Sequence, residues 1–187
     1  MDEVGVLQLL IAALDAGIAS YAGFTTIRPL PANLVAIRGN QPRQEGAPTG
    51  PAIIVTHSGN TPRGFPKRRN VWDSVNQVMN FEHSQRMEST YHVEALVPQS
   101  PETPDAMTEA DVLNVARFIL QNDAAMTLLG AQGVYLLRVA KMDSNYIEDD
   151  SDQNENVPFF EITFQYRWSA ISTTPTIYDF VVTVDRV

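Results

Sequence analysis

The sequence predicts an α+β protein, in which a largely antiparallel β-sheet carries two main helices on one face and long irregular loops join the elements. Apolar residues recur every three or four positions over residues 3–20 and 108–121, which is typical of helices. Large apolar and polar residues alternate strictly over 157–168, which is typical of a strand covered on one side. Single helices placed between groups of strands favour helices packed on one sheet face.

At 187 residues the chain is long enough for one well-buried core, so we expect a single domain spanning residues 1–187. Three extended loops are expected within it, at residues 39–51, 58–84 and 143–156.

The first predicted helix covers residues 3–20. Its apolar residues share one face and predict a helix that covers the core: Val4, Leu7, Leu10, Ile11, Leu14 and Ile18. Asp2 and Glu3 stand at its start, where the positive end of the helix dipole favours acidic side chains.

Two strands rich in β-branched residues follow, Leu34–Arg38 and Ala52–His57. Residues 39–51 between them contain so many prolines and glycines that a regular element is not expected. Residues 58–84 are predicted to be a second irregular connection. Toward its end, residues 70–86 have apolar side chains at helical spacing, but their asparagines and serines disfavour a helix.

The third strand is predicted at Met87–Val97 and ends before the prolines of residues 98–104. Its apolar face contains Met87, Tyr91, Val93, Ala95 and Val97.

Thr108 is predicted to cap the second helix, with Asp111 placed to complete a capping box. One face of this helix is apolar: Val112, Val115, Ala116, Ile119 and Leu120. The helix is expected to break near Asn122 and to resume as a short helix that ends at Leu129 and Gly130. A fourth strand is predicted at Val134–Lys141.

Residues 143–156 carry no basic residue and six acids: Asp143, Glu148, Asp149, Asp150, Asp152 and Glu155. Asp150, Asp152 and Asn154 match the first three ligand positions of a calcium loop, and Glu161 matches the twelfth. The sixth position, however, is Glu155 instead of the glycine that permits the sharp turn. We therefore expect a solvated, mobile loop and no bound metal or other cofactor.

The central strand is predicted within Val157–Trp168, where five large residues share one face: Phe160, Ile162, Phe164, Tyr166 and Trp168. We expect Phe160, Phe164, Tyr166 and Trp168 to be buried against the helices that carry Leu7, Leu14, Val115 and Ile119. A turn at Ser172–Pro175 and an antiparallel partner strand at Ile177–Val187 are predicted to complete the sheet.

Composition argues against several classes of function. The chain has no cysteine, which excludes disulfides, thiolate catalysis and cysteine-based zinc sites. It has no basic leader and no apolar run near 18 residues, so neither a signal peptide nor a membrane span is predicted. It has no Gly-x-Ser-x-Gly motif, and its three histidines are scattered, so we expect no enzymatic activity.

The charge distribution is uneven. Residues 28–69 contain seven basic residues against one acid, a local net charge of +6. Since the whole chain has a net charge of −9, the remaining residues carry −15. Such a chain can join copies of itself head to tail, although a solvated loop surface without a partner would look the same. If the basic region is a subunit contact, the contacting residues are predicted to be Arg43, Arg63, Phe65, Lys67, Arg68 and Arg69, with Trp72 adding apolar area. The overall acidity disfavours general affinity for nucleic acid.

The order of these features resembles the small neck and tail-terminator (tail completion) proteins of tailed bacteriophages. The similar stretches are the opening helix, Arg38-Gly-Asn-Gln-Pro continuing to Gly50-Pro-Ala-Ile-Ile-Val, the strand Glu88–Val97 leading to the helix Thr108–Gln121, Leu128-Leu129-Gly, and Phe159–Trp168 with Ile177–Val184. The resemblance covers most of the chain and depends on the order of these stretches and on their residue patterns.

This resemblance implies a structural virion protein without enzymatic activity, assembled in the host cytoplasm. It implies a homo-oligomeric ring, expected to be a hexamer, that joins the tail tube or sheath to the head connector and lets double-stranded DNA pass without sequence-specific binding. Two other interpretations stay open. One is another minor tail or baseplate component, and the other is a small binding module or enzyme that uses loops 39–51 and 59–70.

Overall fold

The structure, a computed structural model, describes residues 2–21, 29–39, 50–98, 105–148 and 154–175. Within these ranges the helices are α1 (Glu3–Tyr21), α2 (Glu109–Gln121) and α3 (Asp123–Ala131). The strands are β1 (Val35–Arg38), β2 (Ala52–Asp73), β3 (Val78–Leu96), β4 (Tyr135–Val139), β5 (Asp143–Glu148) and β6 (Asn154–Pro175).

The six strands form one sheet in the order β1-β2-β3-β6-β4, and β5 also pairs with β6. The β1–β2 pair is parallel, and every other pair is antiparallel. The three helices contact one another and the sheet. The predicted α+β class is therefore confirmed.

The core lies between the helices and one half of the sheet. Its largest fully buried side chains include Tyr91, Phe160, Phe164, Leu10 and Leu14. The predicted apolar face of α2 is buried as expected, and so is that of the third strand except for Met87, which is partly buried against the core. Burial also raises the pKa of Tyr91 well above its usual range, because ionisation would place a charge in the core.

Two core predictions are wrong in detail. Trp168 is 42% exposed although Phe160, Phe164 and Tyr166 on the same strand face are buried, because Trp168 lies in the part of β6 beyond the core. Val4 is also 42% exposed, and Val6 is buried in its place. The buried face of α1 is therefore rotated relative to the predicted face, and it includes Ala13.

By length and composition alone α1 could cross a membrane, contrary to the prediction from the sequence. One such helix is weak evidence, because core helices of soluble proteins have the same composition. Here the buried side chains of Val6, Leu10 and Leu14 belong to the core cluster of the sheet and α2. Gly17 permits a close approach to α2, since a Cβ at this position would overlap the side chain of Ile119.

The predicted start of α2 is confirmed. The Thr108 side chain accepts a hydrogen bond from the Asp111 backbone N–H, and the Asp111 carboxylate accepts one from the Thr108 backbone N–H at 3.0 Å. Asn122 then caps α3 by accepting from the Ala125 N–H at 2.8 Å. The break and the short helix are therefore where the sequence predicted them, with α3 ending at Ala131.

The prediction of an irregular loop at 58–84, with a possible helix at 70–86, is wrong. Strand β2 continues to Asp73 and β3 begins at Val78, so nearly all of this segment is a long hairpin. Backbone pairing across neighbouring strands stabilises these residues and does not require an apolar face. Sequence periodicity, which reports burial, therefore misses the strands.

Two further predictions near the C-terminus are corrected. Residues 143–148 form β5, paired with residues 154–159 of β6, instead of a loop. Residues 172–175, predicted as a turn, continue β6 and pair with β3. The predicted strand at 177–187, the centre of the acidic loop at 149–153 and most of the loop at 39–51 lie outside the described residues.

Candidate functional site: the three-stranded arm

The outer half of the sheet forms what we call the arm: β2 residues 60–73, β3 residues 78–88 and β6 residues 167–175. Every residue of β2 from Asn60 to Trp72 is exposed. Strand β1 pairs with β2 only as far as Val55, and β4 pairs with β6 only as far as Gln165. Among the described residues, the arm therefore extends beyond the core as a ribbon of three strands.

The arm ends in a turn organised by Asp73. Its carboxylate accepts hydrogen bonds from the backbone N–H groups of Val75 and Asn76 at 3.0 and 3.1 Å, and from the Asn76 side-chain amide at 2.8 Å. These donors, led by the Asn76 side chain, hold the pKa of Asp73 below its usual value because they favour the charged form. Gln77 adopts a positive φ of 53° in this turn.

The two faces of the arm differ chemically, because residues paired across strands share a face. The face continuous with the core presents four aromatic or apolar side chains, Trp72, Met79, Phe81 and Trp168. Arg68 and His83 lie among them. The opposite face presents the other charged residues of the strands: Arg63, Lys67, Arg69, Asp73, Glu82, Arg86, Glu88 and Arg167. This second face is called the basic face below.

A bulge interrupts β2 on the arm. Pairing resumes at Lys67 opposite Ser84 after Arg63 opposite Arg86, so three residues of β2 lie against Gln85 alone. Gly64 permits this path with a φ of 69°, and the Gln85 amide donates to its carbonyl oxygen at 3.1 Å. The bulge leaves Phe65 94% exposed.

Three arginines lie side by side on the basic face. Arg63 of β2 is opposite Arg86 of β3, and Arg86 is opposite Arg167 of β6. We call these three residues the arginine row. Like charges directly opposite each other destabilise a sheet, so this arrangement requires anions nearby.

Two carboxylates supply part of that compensation. The Arg63 Nε atom lies 2.8 Å from a Glu88 carboxylate oxygen on one side of the row. The Arg167 Nη2 atom lies 3.2 Å from a Glu82 carboxylate oxygen and 2.7 Å from the Ser84 hydroxyl on the other side. Within the part of the chain that the structure describes, Arg86 has no carboxylate partner.

An open depression of about 690 Å³ lies over the arginine row. Its walls include the row itself, the bulge with Phe65, and Lys67. The depression thus combines several cations with one exposed ring, a combination suited to a protein partner that offers a carboxylate and an apolar group.

The structure brings together most of the residues predicted as a subunit contact. Arg63, Phe65, Lys67 and Arg69 lie on or beside the basic face, while Arg68 points to the other face and Arg43 lies outside the described residues. Sequence reasoning missed Arg86 and Arg167. The alternation of β6 placed Arg167 among polar residues, but only the strand register reveals that it neighbours Arg86.

Metal binding receives no support from the described residues, in which no group of three or more His, Asp or Glu side chains could hold an ion. Asp150 and Asp152 of the rejected calcium pattern lie outside those residues, and Glu161 belongs to β6 as expected. His57 contacts Glu3 at 2.8 Å, which links β2 to the start of α1.

A family model described as E217 gateway protein gp29 matches residues 5–176, which include the core and the whole arm. The chain belongs to this gateway protein gp29 family. This assignment confirms the resemblance to the neck and tail-terminator proteins of tailed phages. Among curated protein sequences, none matches this member of the gp29 family.

Solved structures also include a similar fold. The PVC sheath/tube terminator of an extracellular contractile injection system, in its extended state, matches with a TM-score of 0.54 and 12% sequence identity. The match covers 100% of this gp29-family chain and 64% of the terminator chain. At this identity the likeness shows a shared fold only. The family itself supports a structural role and disfavours an enzyme.

Proposed function

We propose that this protein is a structural subunit of a phage tail, a single-domain tail terminator or neck component that forms a ring between the tail tube and the head connector. The observation that carries the proposal is the family match over residues 5–176, which includes an arm extending beyond the core. An isolated subunit gains little from such an arm, because few of its side chains are buried. A subunit contact would give it a function.

A closed ring joins two different surfaces of identical subunits, head to tail. The arm supplies one surface with net positive charge, since its charged residues are six basic and three acidic. The rest of the chain is acidic, which supplies an unlike surface. Opposite charges orient the encounter of two subunits, and a hexamer is the ring expected from the resemblance.

Charge alone would not hold the ring, because exposed ion pairs contribute only about 0–1 kcal/mol each. Apolar burial must contribute most of the contact energy. Phe65 and Trp72 are 94% and 48% exposed and are available for it. The proposed contact therefore combines Arg63, Lys67 and Arg69 with Phe65 on the basic face, and Trp72 extends it onto the face continuous with the core. Arg68 borders it on the apolar face, and Arg43 is assigned to it from the sequence.

Double-stranded DNA would pass through the bore without sequence-specific binding. A net charge of −9 suits a channel lining, because like charge keeps the phosphate backbone from adhering. The tail tube or sheath protein and the head connector would occupy the two ends of the ring. Assembly would take place in the host cytoplasm, and the assembled protein would reside in the virion.

Electron microscopy of the purified protein, alone and mixed with tail tubes, tests this proposal. Rings with a central opening, free or at tube ends, are expected. Reversing the charge of Lys67, Arg68 and Arg69 to Glu should reduce ring formation in low salt and leave the circular dichroism spectrum unchanged. A matched reversal of exposed Arg138 on β4, outside the arm, should have no effect. A parent protein that is monomeric and leaves tube ends bare would overturn the proposal.

A further inference from the structure

We propose that the arginine row is a carboxylate-binding site occupied by the acidic segment of a second copy of this chain, residues 143–155. The inference rests on the proposed ring and adds which groups recognise each other. Three observations carry it: the unequal compensation of the row, the exposed ring beside it, and the distance along β6 between the row and the residues that pair with β5.

The row is incompletely neutralised. Glu88 and Glu82 each pair with one of the outer arginines, Arg63 and Arg167. Arg86 remains exposed between them at the floor of the depression. One further carboxylate at this point would accept charge-assisted hydrogen bonds from a planar donor group.

Phe65 indicates that the ligand also has an apolar part. The bulge presents this ring almost entirely to water, at the wall of the depression that contains Arg86. Aromatic side chains, phenylalanine included, and arginines are enriched in the cores of protein interfaces. A free inorganic anion would leave the ring uncovered, whereas a peptide segment would cover it.

The acidic segment has the required chemistry. It contains six acids and no basic residue, and Tyr146 and Ile147 immediately precede Glu148 and Asp149. The sequence therefore contains both carboxylates and apolar side chains within four consecutive residues.

One subunit cannot satisfy this attraction by itself. The end of the sheet where β5 pairs with β6 contains Val157, and the arginine row contains Arg167 of the same strand. Ten residues of extended strand separate them, roughly 33 Å at about 3.3 Å per residue, which is beyond the reach of side chains. The residues of β6 that pair with β5 and the arginine row are therefore far apart on one subunit, as a head-to-tail contact requires.

Nucleic acid fits this site less well. Glu82 and Glu88 flank the row on both sides, so a phosphate backbone crossing it would meet a carboxylate before and after the arginines. A protein segment can offer one carboxylate to Arg86 and need not bring a run of phosphates past Glu88, which lines the same depression.

A charge-swap experiment on the full chain tests the inference. One variant carries Arg86→Glu and Arg167→Glu, and the other carries Asp149→Arg and Asp150→Arg. Each variant alone should associate at least about tenfold more weakly than the parent in sedimentation at low salt, and an equimolar mixture should recover association. Arg138→Glu in place of the first variant is the control, and it should behave as the parent.

A second measurement covers a subunit that assembles only on its target. A labelled peptide of residues 143–156 should bind the monomeric parent. It should bind the Arg86→Glu variant at least about tenfold more weakly. A peptide with every acid changed to its amide should not bind. Rings that form normally in the Arg86→Glu, Arg167→Glu variant, or a labelled DNA duplex that binds the row better than the peptide, would overturn the inference. Such rings would leave the proposed function intact. A parent that forms rings neither in solution nor at tube ends would overturn the proposed function.

Discussion

Two regions of the same sheet, the half beneath the helices and the arm, are built from the same strands and meet different surroundings. Strand β6 shows the contrast most directly. Phe164 is fully buried, and Trp168, four residues later on the same strand face, is 42% exposed. The sequence alternates in the same way at both positions, so alternation reports the direction of a side chain and coverage decides its burial.

The difference separates stability from assembly. Apolar area buried beneath the helices stabilises the fold of the subunit at about 25 cal/mol per Å². The exposed rings of the arm contribute little to that fold and remain available to a neighbour. Substitutions in the first region should therefore change unfolding, and substitutions in the second should change association.

The largest expected effect comes from truncating the buried ring of β6. Phe164→Ala should lower the free energy of unfolding by about 3–5 kcal/mol, because it leaves a cavity in the core. Trp168→Ala, the matched change on the arm, should lower it by about 1 kcal/mol or less. Denaturant unfolding of both variants measures the difference, and equal losses would contradict the division between the two regions.

The contact between α1 and α2 offers a second test of the covered half. Gly17→Ala should destabilise the protein by about 1–3 kcal/mol, although alanine favours helix, because the new methyl overlaps Ile119. Thermal unfolding measures the loss. Adding Ile119→Val should restore part of the stability, and a Gly17→Ala protein more stable than the parent would exclude the close approach.

The cap of α2 should have a smaller effect. Thr108→Ala removes the acceptor of the Asp111 N–H and should cost about 1 kcal/mol in urea unfolding. Thr61→Ala on the exposed part of β2 is the control and should stay within about 0.5 kcal/mol of the parent. Loss of the same size in both variants would argue against the capping box.

The smallest effect is expected at the end of the arm. Because hydrogen bonds hold the folded pKa of Asp73 below its unfolded value, the turn should be stabilised above about pH 3.9, the ordinary aspartate value, and loosen as the pH falls through the folded pKa. Amide hydrogen exchange at Val75 and Asn76 should accelerate there relative to a reference peptide. Asp73→Asn should remove this pH dependence, and an unchanged dependence would assign it to another group.

Local signals predicted the covered half well. The capping box of Thr108 and Asp111, the break at Asn122 and the apolar faces of α2 and β3 depend on residues within a few positions of one another, and each is present. Tyr91 and Phe160 could be assigned to the core because period-two patterns place large residues on one side of a strand.

The arm was predicted poorly for a physical reason. Its residues from Asn60 to Trp72 are exposed, so selection for burial leaves no periodic pattern in them. Their strand structure depends on backbone hydrogen bonds to β3, and β3 in turn pairs with β6 from a distant part of the chain. Prolines and a glycine at the bulge also resemble loop chemistry, although they accommodate a register shift within a strand.

The sequence by itself determined the fold class, the capped helices, the apolar side of the central strand and the uneven charge, because each of these follows from residue type and short spacing. Only the tertiary structure decided where β6 leaves the core and which cations meet. Arg63, Arg86 and Arg167 come from three separate stretches, and the register of three strands places them in one row. Register is a property of paired backbones, so no single stretch of sequence contains it.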